Sequence, residues 1–230
     1  ISTVSRVFLS SIYACILISL TYHAVDYLDV GLVMAILYCF PIGVAFVSYF
    51  RGESKIVLVQ WLSMVGLMIG LYLMLSTGEQ VLNLYGLFIS FLGLLFFIAF
   101  VVTASNLSAQ IGATTFNFYV SIFGIILLTV GFILPLGFEI TLPITKIGYL
   151  AIVTNGIFYI ASWVLFFKGA TIIGATRTSM LSSVEPLFAA LLAIILLNQL
   201  LSVTEWTGFI IVLTAIYTFE KNSTKPKAKF

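Results

Sequence analysis

The sequence predicts an all-helical membrane protein whose helices form a polytopic bundle built as an inverted repeat. Three observations support this fold class: an extreme apolar composition, a series of long apolar stretches, and a matching pair of sequence units. Of the 230 residues, 62% are hydrophobic and 8% are charged, with a mean hydropathy of +1.22. Ordinary soluble domains carry about 25% charged residues. Because lipid offers no partner for backbone N–H and C=O groups, such a chain must pair them internally, as helices do.

Eight apolar stretches follow one another along the chain. A bilayer core of about 30 Å needs roughly 20 helical residues at a rise of 1.5 Å per residue. The predicted spans are 6–26, 30–50, 56–76, 83–104, 112–136, 147–168, 176–197 and 204–219. The connections between them are short and rich in turn-forming and charged residues. No connection is long enough to hold a soluble domain.

The basic residues lie mainly on one side of these spans. If the spans alternate in direction, nine of the ten Lys and Arg residues share one side and only Lys146 lies on the other. The nine are Arg6, Arg51, Lys55, Lys168, Arg177, Lys221, Lys225, Lys227 and Lys229. This bias predicts a multi-pass protein of the cell membrane with both ends of the chain in the cytoplasm. Since these residues flank the membrane, we expect lipids and not nucleic acid as their partners.

Two parts of the chain match each other at a constant spacing. A shift of 145 residues superposes Pro41 on Pro186 and Trp61 on Trp206, with apolar runs aligned between them. The shift carries the third span onto the eighth, and an odd number of crossings reverses the direction of the copy. We therefore assign 1–79 to three helices of a first repeat, 80–220 to a second repeat of five helices, and 221–230 to a basic cytoplasmic tail. Two further helices are expected before the first residue, giving ten.

Residues 174–208 resemble the last two helices of EamA-like members of the drug/metabolite transporter superfamily. The resemblance rests on a small-residue start, a proline within the helix and a Trp-x-Gly start to the next helix. The residues that carry it are Pro41, Gly52, Glu53, Gln60, Trp61, Glu185, Pro186, Glu205, Trp206 and Gly208. The chain departs from the family pattern at Asn198 and Gln199, where Gly-Glu is usual. The resemblance implies ten helices and the transport, often outward, of amino acids, related solutes or drug-like compounds.

Glu185 is the acidic residue predicted to lie deepest in the membrane. It follows Thr176 by nine residues, which places it roughly 15 Å into the span at 1.5 Å per residue, near the middle of the bilayer. A charge at that depth costs on the order of 3 kcal/mol or more, so we expect the carboxyl group to face a cavity or a partner. It would bind an amine group of the solute or take up a coupling proton. The alternative is a protonated carboxyl that fixes helix packing beside Pro186.

Polar side chains on two other spans are candidates for a solute path. Asn155, Tyr159 and Trp163 recur at helical spacing on the sixth span, and Asn117 and Tyr119 lie early on the fifth. Polar groups in lipid turn toward the protein, so these residues are predicted to contact the solute. The alternative is hydrogen bonding between helices, worth about 0.6 kcal/mol each on average.

Two prolines lie near the middle of matching spans. Pro41 and Pro186 each remove a backbone hydrogen bond, which predicts a helix break that binds solute or permits gating; a static kink is the alternative. Small residues four apart predict helix-packing faces at Gly66, Gly70, Ala189 and Ala193.

The sequence favours a carrier that works by alternating access over the other functional classes. An enzyme would need a nucleophile with a base, or clustered acids and histidines for a metal. The chain has one histidine and one deep acid, so we expect no catalytic site, no cofactor and no metal. A scaffold or sensor without transport is the remaining alternative. The expected partners are a small-molecule solute, membrane lipids and a second copy of the chain in a homodimer.

Overall fold

The computed structural model describes residues 2–75, 83–133, 142–198 and 200–223, and every regular element in these ranges is a helix. The ten helices are α1 Thr3–Val25, α2 Val30–Leu37, α3 Phe40–Phe50, α4 Leu58–Leu75, α5 Leu84–Ile111, α6 Ala113–Ile133, α7 Lys146–Ile173, α8 Ala175–Ser182, α9 Glu185–Leu197 and α10 Val203–Lys221. The predicted all-helical polytopic bundle is confirmed. The predicted repeat boundary at 79 and 80 lies outside the described residues, so that division stays a prediction.

Seven helical segments of the described ranges are long and apolar enough to cross a membrane, with α2 and α3 forming one segment and α8 and α9 another. The eighth predicted span forms α10, which carries Glu205, Glu220 and Lys221 near its ends and is not among the seven. Large apolar side chains are exposed on all sides of the bundle, as expected of a surface that faces lipid.

Helices α4 and α10 pack against each other in opposite directions over their whole length. At one end, Gln60 Nε2 donates to Ser223 Oγ over 3.0 Å. At the other end, Gly208 lies so close to α4 that a Cβ atom on it would be 2.8 Å from Met74 N. The first residues of α4 therefore contact the last residues of α10, and the last residues of α4 contact the first residues of α10. Because α4 is long enough to span the membrane, α10 spans it as well.

This antiparallel pairing places the two matching tryptophans at opposite ends of the bundle. Trp61 lies in the first turn of α4, beside the end of α10, and Trp206 lies in the first turn of α10, beside the end of α4. The repeats therefore run in opposite directions across the membrane, as an inverted repeat requires.

The contacts within this helix pair also obey two-fold symmetry. A Cβ atom on Gly66 would lie 3.7 Å from the Cβ of Ala215, which is the counterpart of Gly70 after the shift of 145 residues. The counterpart of Gly66 is Ile211. Gly70 approaches Val212, the residue next to Ile211, so the second contact repeats the first to within one residue. Such reciprocal contacts are those of a two-fold axis passing between the helices. The glycines predicted as a packing face thus lie at this axis.

The shift of 145 residues aligns the other helices too. Three helices of the second repeat begin 145 residues after their counterparts in the first. Helix α8 begins at 175 and α2 at 30, α9 at 185 and α3 at 40, and α10 at 203 and α4 at 58. Helix α7 falls on α1 in the same way, within three residues at each end.

Two helices run further than the sequence predicts. Helix α5 ends at Ile111 and α7 at Ile173, beyond the predicted ends at 104 and 168. Gly112 and Gly174 follow with φ of +87° and +89°, and their N–H groups bond the carbonyls of Ser108 and Ala170. Glycine takes this left-handed conformation without strain, so it ends each helix and starts the next. The predictions were too short because they ended at polar residues that remain helical.

Candidate functional site

Two helix breaks lie at corresponding places in the two repeats. Residues 38–39 separate α2 from α3, and residues 183–184 separate α8 from α9. Pro41 and Pro186 are the second residues of the helices that follow. Each proline has no N–H, so the carbonyl four residues earlier loses its helical donor. The chain passes both breaks by bonds to the third residue back, as in a 3₁₀ turn. Whether the breaks act in gating stays a prediction.

Glu185 is the first residue of α9, midway along the segment formed by α8 and α9. Its side chain is exposed, and it forms no ion pair among the described residues. Tyr38, in the break of the other repeat, lies close to it, since Tyr38 lines the same cavity as the adjacent Pro186. The carboxylate therefore lies where the two breaks meet.

An aromatic cluster adjoins this position. The Trp163 ring meets the Tyr159 ring edge to face with a centroid distance of 6.3 Å, and it stacks on Phe167 at 5.4 Å. Phe40, the counterpart of Glu185 in the first repeat, stacks on Phe97 at 4.2 Å. One repeat therefore presents a carboxylate where the other presents a buried phenyl ring, so the centre of the bundle is chemically asymmetric.

The side chains of the other predicted solute contacts form no hydrogen bond with this central region among the described residues. Asn117 is buried, but its Nδ2 donates to the carbonyl of Ala113 in its own helix over 2.9 Å. The side chains of Tyr119 and Asn155 are exposed and form no hydrogen bond in the described ranges. Of the predicted set, Tyr159 and Trp163 are in contact, and the solute-binding role of all six residues stays a prediction.

A cavity of about 380 Å³ opens between α2, α4, α9 and α10, and we call it the cleft. Its lining residues are Gly31, Met34, Tyr38, Met74, Leu75, Pro186, Ala189, Ala190, Ala193, Leu201 and Glu205. Ala189 and Ala193, which are predicted to form a helix-packing face, both line the cleft. Their role in helix packing stays a prediction.

The cleft opens on the face of the bundle opposite most of the basic residues. We call the end that holds Arg51, Lys55, Arg177 and Lys221 the basic face. The outer end of the cleft is formed by residues that begin α2, end α4 and precede α10, all at the opposite face. Its inner end is formed by residues of the two breaks. The cleft therefore runs from the opposite face to the centre of the bundle.

The symmetry-related region at the basic face is closed. When each lining residue is shifted by 145, nine of the eleven counterparts are buried, compared with three of the eleven residues that line the cleft. The buried counterparts are Pro41, Val44, Ala45, Ser48, Gln60, Thr176, Ser179, Ser183 and Phe219. The same arrangement of four helices is therefore open at one face of the bundle and packed at the other.

The two faces also differ in helix packing. At the basic face, α3 packs directly on α8, whereas the described residues show no comparable pairing of their counterparts α9 and α2. Helix α9 packs on the core through Leu187, Ala190 and Leu191. The two faces therefore differ in how closely the helices of one repeat approach those of the other.

The closed basic face contains polar groups that lack partners. The hydroxyls of Thr176 and Ser179 are buried without a hydrogen bond to any described residue. Beside them, Arg177 Nε donates to Glu220 Oε2 over 3.2 Å, and its Nη2 binds the other carboxylate oxygen. Buried hydroxyls are normally paired, and an unpaired one costs about 1–3 kcal/mol. These groups belong to a surface that water could satisfy if α3 and α8 moved apart.

Comparison with known proteins gives two matches. The sequence model of the EamA-like transporter family matches residues 84–219, which is more than half of the chain. A segment of 59 residues is 36% identical to the uncharacterized inner membrane transporter YicL of Salmonella typhimurium. That segment covers 26% of this chain and 20% of the relative, so the two align over about a fifth of the relative's length.

Proposed function

Since the chain belongs to the EamA-like transporter family, we propose that it carries a small solute across the cell membrane by alternating access. The cleft would be the solute passage at one face, and the packed region between α3 and α8 would be its closed equivalent at the other. A rocking of one repeat against the other would exchange the two states. Glu185 would remain at the centre and be accessible from each face in turn.

The observation that supports this proposal best is the asymmetry between symmetry-related residues. A carrier buries one set of such residues while it exposes the other, because its solute passage is open to one side at a time. The burial of Val44 reflects its packing against α5, so pairs such as Ser48 and Ala193 carry the comparison.

The charge bias indicates the side of the membrane to which the cleft opens. If the basic face is cytoplasmic, as the positive-inside rule indicates, the cleft opens to the exterior. The described conformation is then outward-facing, and an exporter would release its solute from it. Both visible ends of the chain then lie in the cytoplasm.

The solute class follows from the groups at the centre. The Glu185 carboxylate favours a protonated amine, and the Trp163 and Tyr159 rings next to it stabilise a cation through their faces by about 0.5–2 kcal/mol. Amino acids, related amines and drug-like cations carry such a group. If a proton is the coupling ion, Glu185 is the acid that takes it up. The site offers no nucleophile with a base, so we propose a carrier and not an enzyme.

Counterflow in proteoliposomes tests this function. Vesicles that contain the protein and unlabelled phenylalanine, leucine, lysine or ethidium are diluted into trace labelled solute, and its accumulation is followed over a range of pH. We expect saturable uptake by the native chain, a loss of pH dependence or of uptake in Glu185→Gln, and native behaviour in Glu53→Gln, which removes an exposed acid near Arg51. Flux equal to that of empty vesicles for every solute would favour the scaffold.

A further inference from the structure

Gln60 and Glu205 are counterparts in the inverted repeat, at the first turns of α4 and α10. Both side chains are buried, with exposed fractions of 4% and 7%. Gln60 Oε1 accepts the N–H of Val57 over 3.1 Å, and Glu205 Oε2 accepts the N–H of Ser202 over 2.6 Å. One oxygen of each side chain therefore caps the start of its helix in the same way.

The second polar atom of these two side chains behaves differently. Gln60 Nε2 donates to Ser223 Oγ and to the carbonyl of Phe219. Glu205 has an oxygen at that position, which cannot donate, and this oxygen has no hydrogen bond or ion pair among the described residues. Phe219 corresponds to Met74, which lines the cleft with Glu205. The oxygen of Glu205 that does not cap the helix therefore lies beside the cleft and can accept a hydrogen bond from a ligand there.

One oxygen of Glu205 is held by the start of its helix. The start of α10 carries the positive end of the helix dipole, and the Ser202 N–H donates to that oxygen. No Lys, Arg or His pairs with Glu205 in the described ranges. A carboxylate that lines a cavity and has a free oxygen is a candidate site for a cationic ligand.

We propose that Glu205 binds the ammonium group of an amphipathic solute at the outer end of the cleft. A primary ammonium carries a positive charge and three N–H donors, one of which the free carboxylate oxygen accepts. The apolar part of the solute lies along the walls formed by Met34, Ala190 and Leu201. The volume of the cleft is within the usual range for small-molecule sites. The Glu205 site is the outer of two acids along the passage, and Glu185 is the inner.

This inference rests on the proposed transport function, but the binding of an ammonium group to Glu205 can be measured without transport. The test is equilibrium dialysis of labelled butylammonium against the detergent-solubilised chain at neutral pH, with empty micelles as the blank. Glu205→Gln is the matched variant, because glutamine already occupies the symmetry-related position and retains the helix cap there. We expect affinity to fall at least about tenfold in this variant, the effect of losing a charge-assisted hydrogen bond.

Two control variants separate binding from stability. Glu53→Gln removes a distant exposed charge, and Ser202→Ala removes the hydroxyl that caps α10 but keeps the carboxylate. Both should bind butylammonium as the native chain does. Helix content and a single elution peak establish that each variant is folded.

The choice of probes tests the chemistry of the site. Butyltrimethylammonium, which lacks N–H donors, and butanol, which lacks charge, should each bind several-fold more weakly than butylammonium. Native affinity in Glu205→Gln, or equal binding of butanol, would overturn the site. Binding of plain ammonium or potassium as tight as that of butylammonium would show an inorganic cation site and overturn the amphipathic ligand. Failure of counterflow with intact butylammonium binding would overturn transport and leave this site standing.

Discussion

Replacement of Gly208 by alanine should destabilise the bundle, because this glycine is the point of closest approach between α4 and α10. A Cβ atom there would lie 2.5 Å from the carbonyl oxygen of Gly70 and 2.8 Å from Met74 N. Comfortable contacts of this kind are about 3.5 Å, so the two backbones would have to separate by up to about 1 Å. Both obstructing atoms are backbone, and no side-chain rotation relieves the contact.

The expected magnitude combines two opposing effects. Overpacking of this kind costs about 1–3 kcal/mol and the separation also loosens neighbouring contacts. The replacement of a helical glycine by alanine recovers at most about 1 kcal/mol. We therefore expect a net loss of roughly 1–2 kcal/mol, which moves the midpoint of unfolding clearly downward.

Two other glycines provide matched controls on the same chemistry. Gly66→Ala places its Cβ at an ordinary 3.7 Å from the Ala215 Cβ, and Gly156→Ala meets nothing within 4 Å. Both should be neutral or stabilising by up to about 1 kcal/mol from helix propensity alone. The assay is unfolding of the three variants in mixed micelles with increasing denaturing detergent, followed by circular dichroism. Stability of Gly208→Ala equal to that of Gly66→Ala would refute the close antiparallel pairing of α4 with α10.

Three further predictions concern the two faces of the bundle. Arg177→Gln should lower the free energy of unfolding by about 1–2 kcal/mol, because it breaks a partly buried ion pair with Glu220. Adding Glu220→Gln should lower the free energy of unfolding little further. Additive losses in a double-mutant cycle would contradict their coupling. Cysteines at Met34 and Ala193 joined by a bifunctional maleimide should stop flux, whereas either single cysteine should not; continued flux in the joined protein would exclude the cleft as the passage. Tyr38→Phe should reduce amine flux without reducing stability, and flux unchanged at every solute concentration would remove any role for its position close to Glu185.

The helices and the inverted repeat could be predicted because both depend on local sequence pattern. Apolar length fixes each span, and the Pro41–Pro186 and Trp61–Trp206 matches fix the repeat and its direction. Prolines also identified the two breaks, since their effect on backbone hydrogen bonding is independent of tertiary context. Glu185 was found by its depth alone.

The cleft could not be predicted from the same patterns. Ala189 and Ala193 form a small-residue pair of the kind that packs helices, and nothing in the sequence states that α9 and α2 are less closely paired than α3 and α8. The repeats are alike in pattern, so they carry no information about which face is open. The sequence also does not show that the Asn117 side chain bonds its own backbone, as a polar side chain in a helix readily does.

One signal for the outer acid was present in the sequence. The shift of 145 residues aligns Glu205 with Gln60. Both side chains cap the start of a helix, but the second repeat has a carboxyl group where the first has a neutral amide. A residue-by-residue comparison of the repeats would have identified it. Its significance depends on the cavity beside it, which only the structure provides.

Cysteine accessibility tests alternating access most directly. With Cys15 and Cys39 replaced by alanine, single cysteines are placed at Ala193, which lines the cleft, and at its counterpart Ser48, which is buried at the basic face. A membrane-impermeant maleimide is then applied from either side of oriented vesicles. We predict that the cysteine at 193 reacts and the cysteine at 48 is protected, and that a transported solute lowers the first rate and raises the second. A solute that moves both rates in the same direction, or neither, would contradict the account.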